Sequence, residues 1–131
     1  MAKRFEVYKC EICGNVIEVL EGGAGELVCC EEAMTLMDEK TQEEGLTEKH
    51  IPVIEKTENG ETIVKVGSVE HPMTEEHYIQ FIEVFCDDKI LRKYLEPNQK
   101  PEFLIKLNGD VKYAREYCNI HGLWKGENHV N

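Results

Sequence analysis

The chain has 131 residues, a formal net charge of −11 and a hydrophobic fraction of 41%, which suits one ordinary domain or a small module joined to a domain of about 90 residues. No apolar run approaches the ~18 residues that a membrane span needs. The charge divides as −5 over residues 1–40 and −6 over residues 41–131, and two acidic halves disfavour a nucleic-acid or anionic-membrane surface.

The start, "MAKRFEVYKC", has two basic residues without an apolar stretch behind them, so no signal peptide is expected and the cytoplasm is the expected location. Residues 1–37 hold four of the six cysteines and no histidine. "YKCEICGN" sets Cys10 and Cys13 in a Cys-x2-Cys turn, followed by Gly14, and "ELVCCEE" adds Cys29 and Cys30. A Cys-x2-Cys turn directs two thiolates at one metal, and a second pair can complete a tetrahedron of four sulfurs. In a chain without a secretion signal, such spacing reads as a metal site before it reads as disulfides. Zinc and a single iron both suit four thiolates. Adjacent cysteines cannot share one relaxed turn, so a distorted geometry is expected, and that tilts the reading toward iron without excluding zinc.

The polar stretch "MDEKTQEEGLTEK" reads as a solvated connection in which a short helical turn is possible. Beyond it come strand-length runs bounded by Gly, Pro, Asn or Asp: "IPVIEK", "TIVKVGSV", "HYIQFIEVF", "EFLIKL" and "VKYAREYC". In "EFLIKL", Phe103, Ile105 and Leu107 share one face, as a half-buried strand requires. "TENGE" predicts a hairpin turn at Asn59-Gly60. No amphipathic helical pattern of 12 or more residues appears, and the strand spacing resembles an immunoglobulin-like β-sandwich.

All five histidines follow residue 49. His50 opens the run "HIPVIEK", His71 and His77 bracket a loop around Pro72, and "YCNIHG" places Cys118 and His121 three apart, with Gly122 closing the turn. Each lies at an element boundary, where the loops of a sandwich cluster and sites are built. Zinc ordinarily takes four ligands, so four imidazoles and one thiolate suggest a five-coordinate ion with an open sixth position. Cys86 reads as a packed thiol and His129 as part of the tail.

Together these segments resemble the desulfoferrodoxin family. "YKCEICGNVIEVLEGGAGELVCC" looks like its N-terminal module, and "EKHIPVIEK", "HPMTEEHYI" and "REYCNIHGLWK" look like the active-site segments of superoxide reductase. The resemblance implies an all-β chain: a desulforedoxin-like iron tetrathiolate module at 1–37, a linker at 38–49, and a superoxide reductase β-sandwich domain at 50–131. It implies two iron ions, one held by Cys10, Cys13, Cys29 and Cys30. The other would be held by His50, His71, His77 and His121 in a plane, with Cys118 as axial ligand. Glu48 and Lys49 match the acid and base beside the open position. Lys49 would draw in superoxide and help to protonate it, and Glu48 would occupy the sixth position of ferric iron. Further implications are a rubredoxin-like electron donor, a homodimer, and a source among anaerobic or microaerophilic prokaryotes. Two other readings of the residues are an electron carrier without its own catalysis and a zinc-ribbon interaction module.

Overall fold

Side chains on a strand point alternately to opposite faces, and this divides the two longest strands, β8 (Ile79–Cys86) and β11 (Val111–Cys118), between an apolar and a polar side. Ile82 and Val84 of β8 and Ala114 and Cys118 of β11 are buried in one cluster with Ile54, Val64, Val66 and Ile105 from the opposing sheet. The computed structural model describes residues 1–43, 45–106 and 110–129. It divides into two units, Met1–Asp38 and Glu39–Asn131.

The second unit is a β-sandwich. One sheet runs β10-β7-β6, from β6 (Pro52–Lys56), β7 (Thr62–Val66) and β10 (Glu102–Ile105). The other runs β12-β11-β8-β9, with β9 (Ile90–Tyr94) and β12 (Gly122–Glu127) at its edges. All strand pairings are antiparallel. The predicted hairpin joins β6 to β7, where Thr57 N–H donates to the Glu61 carbonyl at 2.8 Å. Phe103 and Ile105 face the core as expected, while Leu107 lies outside the described residues.

The other face of the four-stranded sheet carries a buried ion network. The guanidinium of Arg115 on β11 donates to Glu83 Oε1 of β8 from Nη2 at 2.7 Å and from Nε at 3.0 Å. Arg92 of β9 donates to Glu83 Oε2 at 2.6 Å, and Arg115 also reaches Glu39 at 3.0 Å. Glu83 and Arg115 are both fully buried, so each charge depends on its partner.

The first unit is small: the sheet β2-β1-β5, from β1 (Val7–Lys9), β2 (Val16–Glu18) and β5 (Thr35–Met37), and a hairpin of β3 (Val28–Cys29) with β4 (Glu32–Ala33). Among its described apolar side chains only Val7, Cys10 and Val19 are buried.

The structure corrects one expectation. His50 does not open a strand; it ends a helical turn, α1 (Thr47–His50), and β6 begins at Pro52. The cause is Pro52, whose ring pushes the preceding residue out of the helical region; Ile51 sits at φ −67° and ψ 121°. The connecting stretch is also more ordered than a solvated tether. Lys40 bridges to Trp124, its N–H donating to Leu123 and its carbonyl accepting from Lys125, both at 2.9 Å. Among the described residues no helix is long and apolar enough to cross a membrane.

Candidate metal centres

In the first unit the sequence places two sulfurs in a tight turn and two at a hairpin corner. Cys13 N–H points at Cys10 Sγ at 3.4 Å, and the turn closes through Gly14 N–H to the Cys10 carbonyl at 2.9 Å, with Gly14 at φ +84°. At the corner Cys30 and Glu31 adopt φ +53° and +64°, a left-handed conformation rare for residues with side chains. This is the irregular geometry expected of adjacent cysteine ligands. The Sγ atoms of Cys13 and Cys29 are 3.6 Å apart, those of Cys29 and Cys30 3.9 Å, and all four sulfurs lie within 4.8 Å of one another.

Four thiols this close cannot all ionise unaided. The Cys13 backbone N–H is the main reason that Cys10 is drawn down to about 6. The hydrogen bonds of Cys30 with Cys13 and Cys10 push its thiol up to about 12. A cation removes that conflict by taking all four as thiolates.

The second cluster joins α1, the loop after β7, and the turn between β11 and β12. The helical turn carries His50 so that its Nδ1–H donates to the Leu46 carbonyl at 2.9 Å. His71 Nδ1–H donates to the Pro72 carbonyl at 2.6 Å. These bonds fix both tautomers and leave each Nε2 as the free donor atom. The two Nε2 atoms are 3.0 Å apart and aim at one point.

The four imidazoles close a ring. Centroid distances are 4.6 Å for His50–His71, 4.8 Å for His71–His77, 5.0 Å for His77–His121 and 4.8 Å for His121–His50, every pair edge-on. Cys118 Sγ lies 3.5 Å from His71 Nε2 and 3.9 Å from His121 Nδ1. All five donor atoms fall within 4.8 Å of one another. His77 Nε2 is buried and, among the described residues, has no hydrogen-bond partner; a metal would satisfy it.

Electrostatics favour the neutral form that a metal needs at three of the histidines. Burial is the first cause holding His71 down at about 4, and burial likewise lowers His50 and His77. These three imidazoles are therefore held neutral and able to donate. Burial raises the Cys118 thiol, opposed by the backbone N–H groups of His121 and Ile120. Five donors with one sulfur and four nitrogens fit iron at the boundary of hard and soft, one ligand short of octahedral.

Glu48 and Lys49 sit on α1 with exposed side chains. Their backbone is pinned by the segment after β7: Val69 N–H donates to the Glu48 carbonyl at 3.0 Å, and Gly67, at φ +79°, lies so close that a Cβ there would fall 2.6 Å from the Lys49 carbonyl oxygen. Only glycine fits that approach. Lys49 lines a cleft of ≈ 440 Å³ together with Glu70, His71 and Lys100, and its charge contributes to the lowering of His77. Cys86 packs against the sandwich core and His129 is exposed, and neither joins a metal cluster.

Sequence reasoning missed three residues beside the ligands. Trp124 stacks on His50 at 4.8 Å and donates its indole N–H to the His121 carbonyl at 3.0 Å. Lys40 donates to the same carbonyl at 3.2 Å. Glu116 shares the inward face of β11 with Cys118. Its carboxylate is fully buried, has no hydrogen-bond partner among the described residues and is held far above the usual carboxylate range by burial. "HGLWK" offered a signal for Trp124, which directly follows the ligand turn; nothing local marked the other two.

Comparison with known proteins points the same way. The sequence pattern of the Desulfoferrodoxin family matches residues 42–127, and that of the desulfoferrodoxin N-terminal domain matches residues 2–37. Desulfoferrodoxin of Desulfarculus baarsii is 56% identical over 128 residues, covering 98% of this chain and 100% of its own length. Desulfoferrodoxin of Nitratidesulfovibrio vulgaris is 51% identical over 127 residues, covering 97% and 99%. Among solved structures, the superoxide reductase from Treponema pallidum superposes with a TM-score of 0.75 at 33% identity, over 97% of this chain and 100% of that one. The chain belongs to the desulfoferrodoxin family of superoxide reductases.

Proposed function

We propose that the chain reduces superoxide to hydrogen peroxide at the His50, His71, His77, His121 and Cys118 site, with Glu48 and Lys49 as its acid and base. The observation that carries this is the closed ring of four edge-on imidazoles completed by one thiolate, five donors that leave one position for a substrate. Iron bound there supplies the single electron; superoxide takes up that electron and two protons and leaves as hydrogen peroxide.

The remaining work belongs to the protein. With ferrous iron bound, one thiolate and four imidazole ligands would cancel only one of its two charges, so the site would keep a positive charge for an anionic substrate. Lys49, fixed through its backbone at the rim of the cleft beside His71, adds a second. At physiological salt exposed charges act over about 8 Å, so this local charge outweighs the net charge of −11. Lys49 also holds water for proton delivery. Glu48 carries an exposed carboxylate that among the described residues makes no hydrogen bond or ion pair, so it would be free to serve as a further ligand to the iron. A carboxylate is a hard ligand, suited to ferric iron.

Residues 1–37 form a tetrathiolate iron module that serves electron transfer or its own stability, residues 38–49 connect it, and residues 50–131 carry catalysis. A rubredoxin-like protein supplies electrons, and the chain works in the cytoplasm as a homodimer. The test is rapid mixing of the ferrous protein with superoxide across a salt series. Wild type should be oxidised in a second-order reaction that slows with salt. Lys49→Ala should react about tenfold more slowly with a flatter salt dependence. Oxidation no faster than spontaneous loss of superoxide would overturn the function, and an unchanged Lys49→Ala would overturn the steering role alone.

A further inference from the structure

Two of the four histidine rings are fixed by a carbonyl, and the turn of a third is fastened by two side chains. His50 and His71 donate from Nδ1 to Leu46 and Pro72, and the carbonyl of His121 receives Trp124 and Lys40. His77 differs: its buried Nε2 has no hydrogen-bond partner among the described residues. Its place therefore depends on the loop that carries it.

That loop is closed on itself by Thr74, whose N–H donates to the His77 carbonyl at 3.0 Å while His77 N–H donates to Thr74 Oγ1 at 3.1 Å. It is tied to the rest of the site by Asn119. Tyr78 N–H donates to Asn119 Oδ1 at 2.9 Å, Asn119 Nδ2 donates to the Glu76 carbonyl at 3.0 Å, and Asn119 N–H donates to the Tyr78 carbonyl at 3.2 Å. Glu76 and Tyr78 flank His77, and Asn119 stands between Cys118 and His121. One amide side chain thus stitches the loop of one ligand to the turn that carries two others. An amide is suited to this because it offers an acceptor and a donor at once.

We propose that Asn119 is a positioning residue for His77, and that by keeping His77 among the ligands it sets the preference of the site for a five-coordinate ion over four-coordinate zinc. The inference rests on reading this cluster as the catalytic iron site. Without Asn119, His77 can swing away and leave three imidazoles and a thiolate, a four-ligand set that zinc accepts. Iron loses a ligand it uses, while zinc loses one it can do without. A merely structural role would weaken both metals alike.

The full chain, loaded with Fe²⁺ or with Zn²⁺, is challenged with graded chelator; metal analysis gives total release, thiolate-to-metal absorption gives the share from the four-cysteine site, and the histidine site is the difference. Asn119→Ala should weaken Fe²⁺ at the histidine site about tenfold and Zn²⁺ by less than about threefold, with the Cys10, Cys13, Cys29 and Cys30 site unchanged. Fe²⁺ retention equal to wild type, or equal weakening of both metals, would overturn the proposal. Should Asn119→Ala lose its folded circular dichroism, Asn119→Asp, which keeps the acceptor for Tyr78 N–H, must show the same asymmetry, and its absence is equally fatal. A wild-type chain that takes no iron at this site would instead sink the superoxide reductase reading.

Discussion

The two metal sites solve the problem of holding a metal in opposite ways. In the first unit Cys13 and Cys30 are exposed, and besides Cys10 only Val7 and Val19 are buried among its described apolar side chains. In the second unit Cys118, His50 and His71 are buried at 2% exposure or less, in a sandwich with its own core. A module with so little core needs a cross-link to fold, and a metal supplies it. The sandwich has a core of its own to fold on, which leaves its ligand geometry free for an incomplete coordination shell. The difference marks the first site as a fastening and the second as a place for chemistry.

Removing metal should expose this contrast most strongly. Stripping both ions should unfold Met1–Asp38 and leave Glu39–Asn131 folded, read as amide exchange that becomes fast in the first unit and stays slow in β8 and β11. Retention of slow exchange in both units would break the comparison.

Single ligand replacements come next. Cys118→Ser should abolish superoxide reduction while the tetrathiolate spectrum persists, and Cys13→Ser should lose that spectrum while reduction survives, since the second site has its complete ligand set. Loss of activity in Cys13→Ser would show that the first iron takes part in turnover.

Acid should separate the sites more gently. In the metal-free chain His71 is held at about 4, below its ordinary 6.5, chiefly by burial, and His50 and His77 are lowered in the same direction. Below pH 6.5 the unfolded chain binds protons that the folded sandwich refuses. Stability is therefore full above about pH 6.5 and falls progressively as pH drops toward about 4. Denaturant unfolding of the metal-free chain across that range measures it, and a flat profile would mean that the imidazoles are not buried as neutral groups.

Much of this could be read in the residues because it depends on local rules. Alternation located β6, β7, β8, β10 and β11, and cysteine and histidine spacing grouped both ligand sets. β9, "ILRKY", and β12, "GLWKGE", escaped notice because their alternation is broken by consecutive basic residues and by glycine. Gly126 in β12 is there for space, as a Cβ at that position would meet the Pro52 carbonyl oxygen at 2.1 Å. The turn of α1 is only a possibility in the residues, because four residues carry too little periodicity. Lys40 could not be assigned, since it meets His121 across 81 positions of chain; nor could Asn119, which looked like a spacer between two ligands. Glu116 offered no warning at all: a carboxylate in "AREYC" reads as solvent-facing until the sheet is assembled around it.

The most direct test of the central claim is the product balance of the second site. Ferrous protein given a known amount of superoxide should yield one hydrogen peroxide per superoxide consumed, lose one electron per turnover and release no oxygen. Peroxide at half that yield, accompanied by oxygen, would mean dismutation and would contradict a site built for reduction alone.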